Sequence, residues 1–62
     1  MANQEHLDLL RQGAAVWNSW RAKEPSVRPD LFRADLSGAD LREADLSGAI
    51  LFSANLIEAR RP

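Results

Sequence analysis

Sixty-two residues allow one domain at most, in the size range where a single hydrophobic core is marginal without disulfides, metal or oligomerisation. The absence of cysteine excludes disulfides and thiolate metal sites, and a formal net charge of -1, with Lys and Arg mixed among Asp and Glu, supplies no field to gather nucleic acid or an anionic membrane. No apolar run approaches the ~20 residues of a membrane span and no basic segment leads into an apolar one at the N-terminus, so the expectation is a soluble, cytoplasmic protein.

Residues 3–23, NQEHLDLLRQGAAVWNSWRAK, carry the spacing of an amphipathic helix, expected over about 4–22. Leu7, Leu10, Ala14 and Trp17 follow the three-four spacing of one helical stripe, and Leu9, Val16 and Trp20 widen it. Asp8, Arg11, Gln12, Ala15, Asn18 and Ser19 fall on the opposite, polar side. Asn3 is placed to cap the N-terminus, with Glu5 near the positive end of the helix dipole. Gly13 lies within the apolar face, where it is either tolerated at about 1 kcal/mol or admits another backbone closely. A face this broad and aromatic must pack on something.

Residues 24–29, EPSVRP, form a connector without periodicity, and Pro25 disfavours helical geometry at Glu24. From residue 30 to 62 the pattern changes. Leu31, Leu36, Leu41, Leu46, Leu51 and Leu56 stand five residues apart, and Ala34, Ala39, Ala44, Ala49 and Ala54 each precede a leucine by two. A straight helix would rotate about 140° per step of five and spread the leucines round its surface. A straight strand fails because five is odd, so successive leucines would change faces. The chain must turn a corner once per repeat, with Ser37-Gly38 and Ser47-Gly48 supplying turn residues. Leu and Ala then point inward together, and the chain stacks on itself as a solenoid.

The units ADLSG, ADLRE, ADLSG and ANLIE resemble those of pentapeptide-repeat proteins, over roughly Asp30 to Ala59. The resemblance implies a mostly β fold: a right-handed quadrilateral parallel β-helix with four repeats per coil, here about one and a half coils, on which the N-terminal helix packs or which it caps. Four repeats per coil would place residues 20 apart in stacks: Leu31 on Leu51, Leu36 on Leu56, Ala34 on Ala54, Asp35 on Asn55 and Phe32 on Phe52. Ile50 replaces the expected Asp or Asn and would flank Phe52, and Ile57 adds an apolar group on the next side. Phe32, Ile50 and Phe52 thus predict an outward apolar patch of the kind that marks a contact. The reading adopted here is that Trp17 or Trp20 of the helix covers it.

So short a solenoid needs closed ends. Either the helix folds over the N-terminal end while the C-terminal end meets another chain, or this is the opening piece of a longer solenoid. Arg61, where the next central Leu would stand, and Pro62, which cannot donate to a ladder, argue for a stop.

Groups able to do chemistry are sparse. His6 is the one histidine and has no second ligand at metal-binding spacing. Asp30, Asp35, Asp40 and Asp45 recur with the repeat and would point outward on different sides, so they form neither a metal cage nor a general acid-base pair. No phosphate-binding glycine loop or nucleophile motif is present. The sequence therefore predicts no catalysis, cofactor, metal or small-molecule substrate. It predicts a structural module that self-associates through coil ends or the helix face as a dimer or stack, with candidate interface residues Leu7, Leu10, Trp17, Trp20, Phe32, Ile50 and Phe52. The alternatives are an adaptor that presents its Trp/Phe surface to a different protein and, fitting less well, the DNA-mimicking topoisomerase binding known in the family. That last role needs a long acidic surface, which Arg28, Arg33, Arg42, Arg60 and Arg61 offset here. A membrane-surface role for the helix fits poorly with the mixed charges of its polar face.

Overall fold

The computed structural model describes residues 2–61, so Pro62 lies outside the described residues. Two helices come first: α1, Gln4–Arg11, and α2, Ala14–Lys23. Asn3 caps α1 as expected, its side chain accepting from the Glu5 and His6 N–H groups. The single helix expected over 4–22 is broken at Gly13, which takes φ 105° and ψ 167°, a conformation open essentially to glycine alone. No close backbone approach accounts for this glycine, since a Cβ there would meet nothing within 4 Å. The break lets α1 pack on α2 and sends His6 and Asn18 to different sides of the first coil. Broken, the segment folds back and lays both halves over the repeats.

Residues 30–61 wind as expected, one corner per five residues. At every corner the alanine N–H donates to the carbonyl of the leucine three residues earlier: Ala34 to Leu31, Ala39 to Leu36, Ala44 to Leu41, Ala49 to Leu46, Ala54 to Leu51 and Ala59 to Leu56, all at 3.0–3.1 Å. The third residue of each turn has positive φ. Gly38 and Gly48 do this without strain, but Arg33, Glu43, Ser53 and Glu58 hold the left-handed conformation at φ 58–67°. Between corners the chain is too short for a strand, and the sides stack through single parallel bridges, Asp30 to Ile50, Asp35 to Asn55 and Asp40 to Arg60. Each bridge spans 20 residues, four repeats. In the second bridge Asn55 N–H donates to Ala34 O (2.9 Å) while its carbonyl accepts from Leu36 N–H (2.9 Å).

The core lies between the helices and the first coil, residues 30–49. Leu31, Leu36, Leu41, Ala34 and Ala44 are buried together with Leu7, Leu10 and Trp17. Leu46, Leu51, Leu56, Ala49 and Ala54 point inward but are only half-buried, because nothing among the described residues covers the coil beyond them, while Ala39 is half-buried beside the Asp40–Arg60 bridge. Arg61, in the next central position, is exposed. The same side chain is therefore worth different amounts in the two coils. Leu36→Ala should cost about 2–5 kcal/mol, and Leu56→Ala distinctly less. Urea unfolding of the two variants checks this, and equal losses would contradict the burial gradient.

Candidate interaction surface

The two ends of the coil differ. At the N-terminal end, side chains of α1 and α2 occupy backbone groups that a preceding coil would otherwise pair. Asn18 shows this most directly: its amide Nδ2 donates to Glu43 O (2.7 Å) and its Oδ1 accepts from Asp45 N–H (2.8 Å). The amide brackets Ala44 much as the Asn55 peptide groups bracket Asp35, taking the Asp45 N–H that faces the coil end together with a corner carbonyl, Glu43 O, whose counterparts at Ser53 and Glu58 make no bond between coils. Trp17 Nε1 donates to Asp45 O at 2.8 Å, and Arg21 forks onto Asp45 O and Ser47 O, both at 2.7 Å. Arg28 Nε donates to Gly48 O at 2.7 Å. On the opposite side Asp30 N–H donates to His6 Nδ1 (2.9 Å) while Asp30 O accepts from Asn3 N–H (2.9 Å). The Nδ1 lone pair must be free to accept, which puts the proton of the neutral ring on Nε2.

Of the residues expected at an interface, Leu7, Leu10 and Trp17 are buried inside the molecule. Trp20 is half-buried, with ring centroids 4.8 Å from His6 and 5.1 Å from Trp17. Neither tryptophan covers the phenylalanines, contrary to expectation. The indole N–H of Trp17 needs an acceptor, which the coil end supplies and the phenylalanine face lacks. Phe32 and Phe52 stack on each other, centroids 5.8 Å apart and rings 4° from parallel, with the Arg33 guanidinium 5.1 Å from the Phe32 centroid. Phe52 remains 72% exposed and Ile57 68%, on adjacent corners of the second coil, while Ile50 is half-buried in its bridge to Asp30. Asn18, Arg21, Arg28 and His6 were not expected at a site at all. The cluster W-N-x-W-R, with an amide and a guanidinium set among indoles, was the available signal.

The aspartates serve the corners. Asp30, Asp35, Asp40 and Asp45, and Asn55 likewise, each accept from the N–H two residues on, at 3.0–3.2 Å, which fixes the turn. Ser37 and Ser47 add their hydroxyls to Asp35 and Asp45, and Arg42 makes a two-pronged contact with Asp40 at 3.0 and 2.9 Å. With Asp40 and Arg42 more than half exposed, that ion pair is worth little by itself. Each carboxylate is committed to its own turn and none converges with another.

These bonds favour the ionised acids. The Arg42 side chain, followed by its N–H, holds Asp40 down at about 2, and the Ser37 and Ser47 hydroxyls, followed by their N–H groups, lower Asp35 and Asp45. The shallow groove beneath the C-terminal turn of α2 holds about 180 Å³, and its two arginines, Arg21 and Arg28, already donate to coil carbonyls.

A family model of pentapeptide repeats, eight copies long, matches residues 30–60. The chain belongs to the pentapeptide-repeat family. No curated protein and no solved structure gives a significant match. Among the described residues no helix of this pentapeptide-repeat protein is long and apolar enough to cross a membrane.

Two predictions follow from the caps and corners. Asn18→Leu keeps the side-chain bulk but strands Glu43 O and Asp45 N–H, so it should cost about 1–3 kcal/mol in urea unfolding, whereas Ser19→Leu, at an exposed position, should change little. The depressed aspartates set the acid dependence. Their folded values lie below the 3.8 of a free carboxyl, so their contribution is complete above about pH 5 and is lost as pH falls toward about 2. The urea midpoint should be level from neutral down to about pH 5 and then drop, and Asp40→Asn should remove part of the drop. A midpoint flat to pH 2 would contradict the assignment.

Proposed function

We propose that this chain is a non-catalytic assembly module: a right-handed, four-sided parallel β-helix of about one and a half coils, closed at one end by α1 and α2, that associates with copies of itself through the other. The supporting observation is the difference between the ends. Leu31, Leu36 and Leu41 are buried under the helices, whereas Leu46, Leu51 and Leu56 are half-buried at an edge with nothing beyond it. That edge also carries unpaired peptide groups. Leu51 N–H and Leu56 N–H, and the carbonyls of Ala49, Ala54 and Ala59, have no partner among the described residues. Apolar surface bordered by open donors and acceptors is a template for another edge.

The same geometry supports a module without cofactor or substrate, because the four repeat aspartates are spent on turns and Arg21 and Arg28 on coil carbonyls. A cytoplasmic setting and independence from nucleic acid and membrane accord with the near-neutral charge. A second reading, an adaptor for a different protein, is favoured by one observation, the exposure of Phe52 and Ile57 on neighbouring corners. Light scattering coupled to size-exclusion chromatography, over about a hundredfold range of concentration, separates the two. Self-association predicts a mass that rises with concentration, while a folded monomer throughout would point to the adaptor.

A further inference from the structure

The open edge is built to meet itself. We infer that two copies join end to end about a twofold axis through the side that carries Asn55, an arrangement that rests on the self-association proposed above and specifies its geometry. Because α1 and α2 occupy the N-terminal end, a second copy cannot stack head to tail, and the remaining pairing sets one C-terminal edge on another. A twofold axis perpendicular to the coil axis reverses the chain direction, so the two edges run antiparallel whatever the hand of the coil.

Four observations converge on the Asn55 side. First, its edge groups are complementary under the twofold: Ala54 O and Leu56 N–H flank Asn55, so each copy offers the acceptor that the other's donor requires. Second, Asn55 is neutral where the stacked position in the first coil is Asp35, and the axis brings residue 55 against its own copy, where two aspartates would repel. Third, the corners either side of Asn55 carry Phe52 and Ile57, the two most exposed large apolar side chains. The axis exchanges these corners, so the Phe52 corner faces the corner carrying Ile57 of the partner subunit. Fourth, the exchange sets Glu58 against the neutral Phe52-Ser53 corner and Arg60 against the Ile50 end, so no like charges oppose each other over the stretch from Ile50 to Arg60. The half-buried Leu51 and Leu56 would be covered in the same step.

Only a residue on a twofold axis can form a disulfide with its own copy at short range, and the protein has no cysteine to confuse the result. Asn55→Cys and, as a control one coil back from the edge on the corner beneath Ile57, Ser37→Cys are oxidised under mild conditions and run on non-reducing gels, with far-UV circular dichroism to verify folding. Sedimentation of the unmodified chain and of Phe52→Asp runs alongside. The expected result is a dimer, crosslinked at position 55 and not at 37, whose dissociation constant rises about tenfold or more in Phe52→Asp. A dimer that crosslinks at neither position, or species growing without limit, would overturn the twofold arrangement while leaving self-association standing. A monomer at every concentration would overturn both.

Discussion

A coil of backbone exposes peptide donors and acceptors along both edges, and something must meet them. In this protein the first edge is met by side chains. Asn18 presents its amide to Glu43 O and Asp45 N–H, while Trp17, Arg21, Arg28, His6 and the Asn3 N–H take further groups along the same edge. Without that substitution the first coil would hold its leucines over open water on one face and unpaired amides round the rim. The cap and the core are one construction, since Trp17 both fills the end of the interior and donates to Asp45 O.

The repeat itself has a division of labour. Leu opens each corner and fills the interior, Ala closes the corner by donating to that leucine's carbonyl, and the Asp or Asn between Ala and Leu fixes the next turn. The two variable positions form the corner, and the second of them takes positive φ. Where Ile50 and Arg60 stand in the Asx position, the turn loses its side-chain acceptor. Ile50 instead sets an apolar group beside the Phe32–Phe52 stack, so the deviation exchanges a local turn bond for apolar surface.

Much of this was legible in the letters, because a period of five contradicts both helix and strand and leaves a corner per repeat as the remaining geometry. The inward leucines and alanines follow from it, whereas the 20-residue register came from the likeness of the repeats to the pentapeptide family and not from the spacing. Other features were not legible. The aspartates looked like an array because an Asx turn recurs with the same period as everything else, so spacing cannot reveal a bond to the residue two positions on. The break at Gly13 hid behind a stripe that continues across it, since Leu10 and Trp17 keep helical phase whether or not the chain bends between them. Asn18 was assigned to the solvent side of one long helix. Its contact with Glu43 and Asp45 exists only once α2 has turned over the coil end.

The 20-residue bridge makes length discrete. A segment of 20 added within the repeats would return every side to its place under the cap, keeping Asn18 over Glu43 and Asp45 if inserted after them. An insertion of five would preserve every corner and every inward leucine, yet turn all that follows by a quarter revolution. Phe52 would then leave the face of Phe32, and the outer surface would be rewritten without disturbing the interior. The solenoid thus keeps two separate accounts of position, one of five residues that its core obeys and one of 20 that its surface obeys, and short insertions could change what the molecule displays while leaving what holds it together intact.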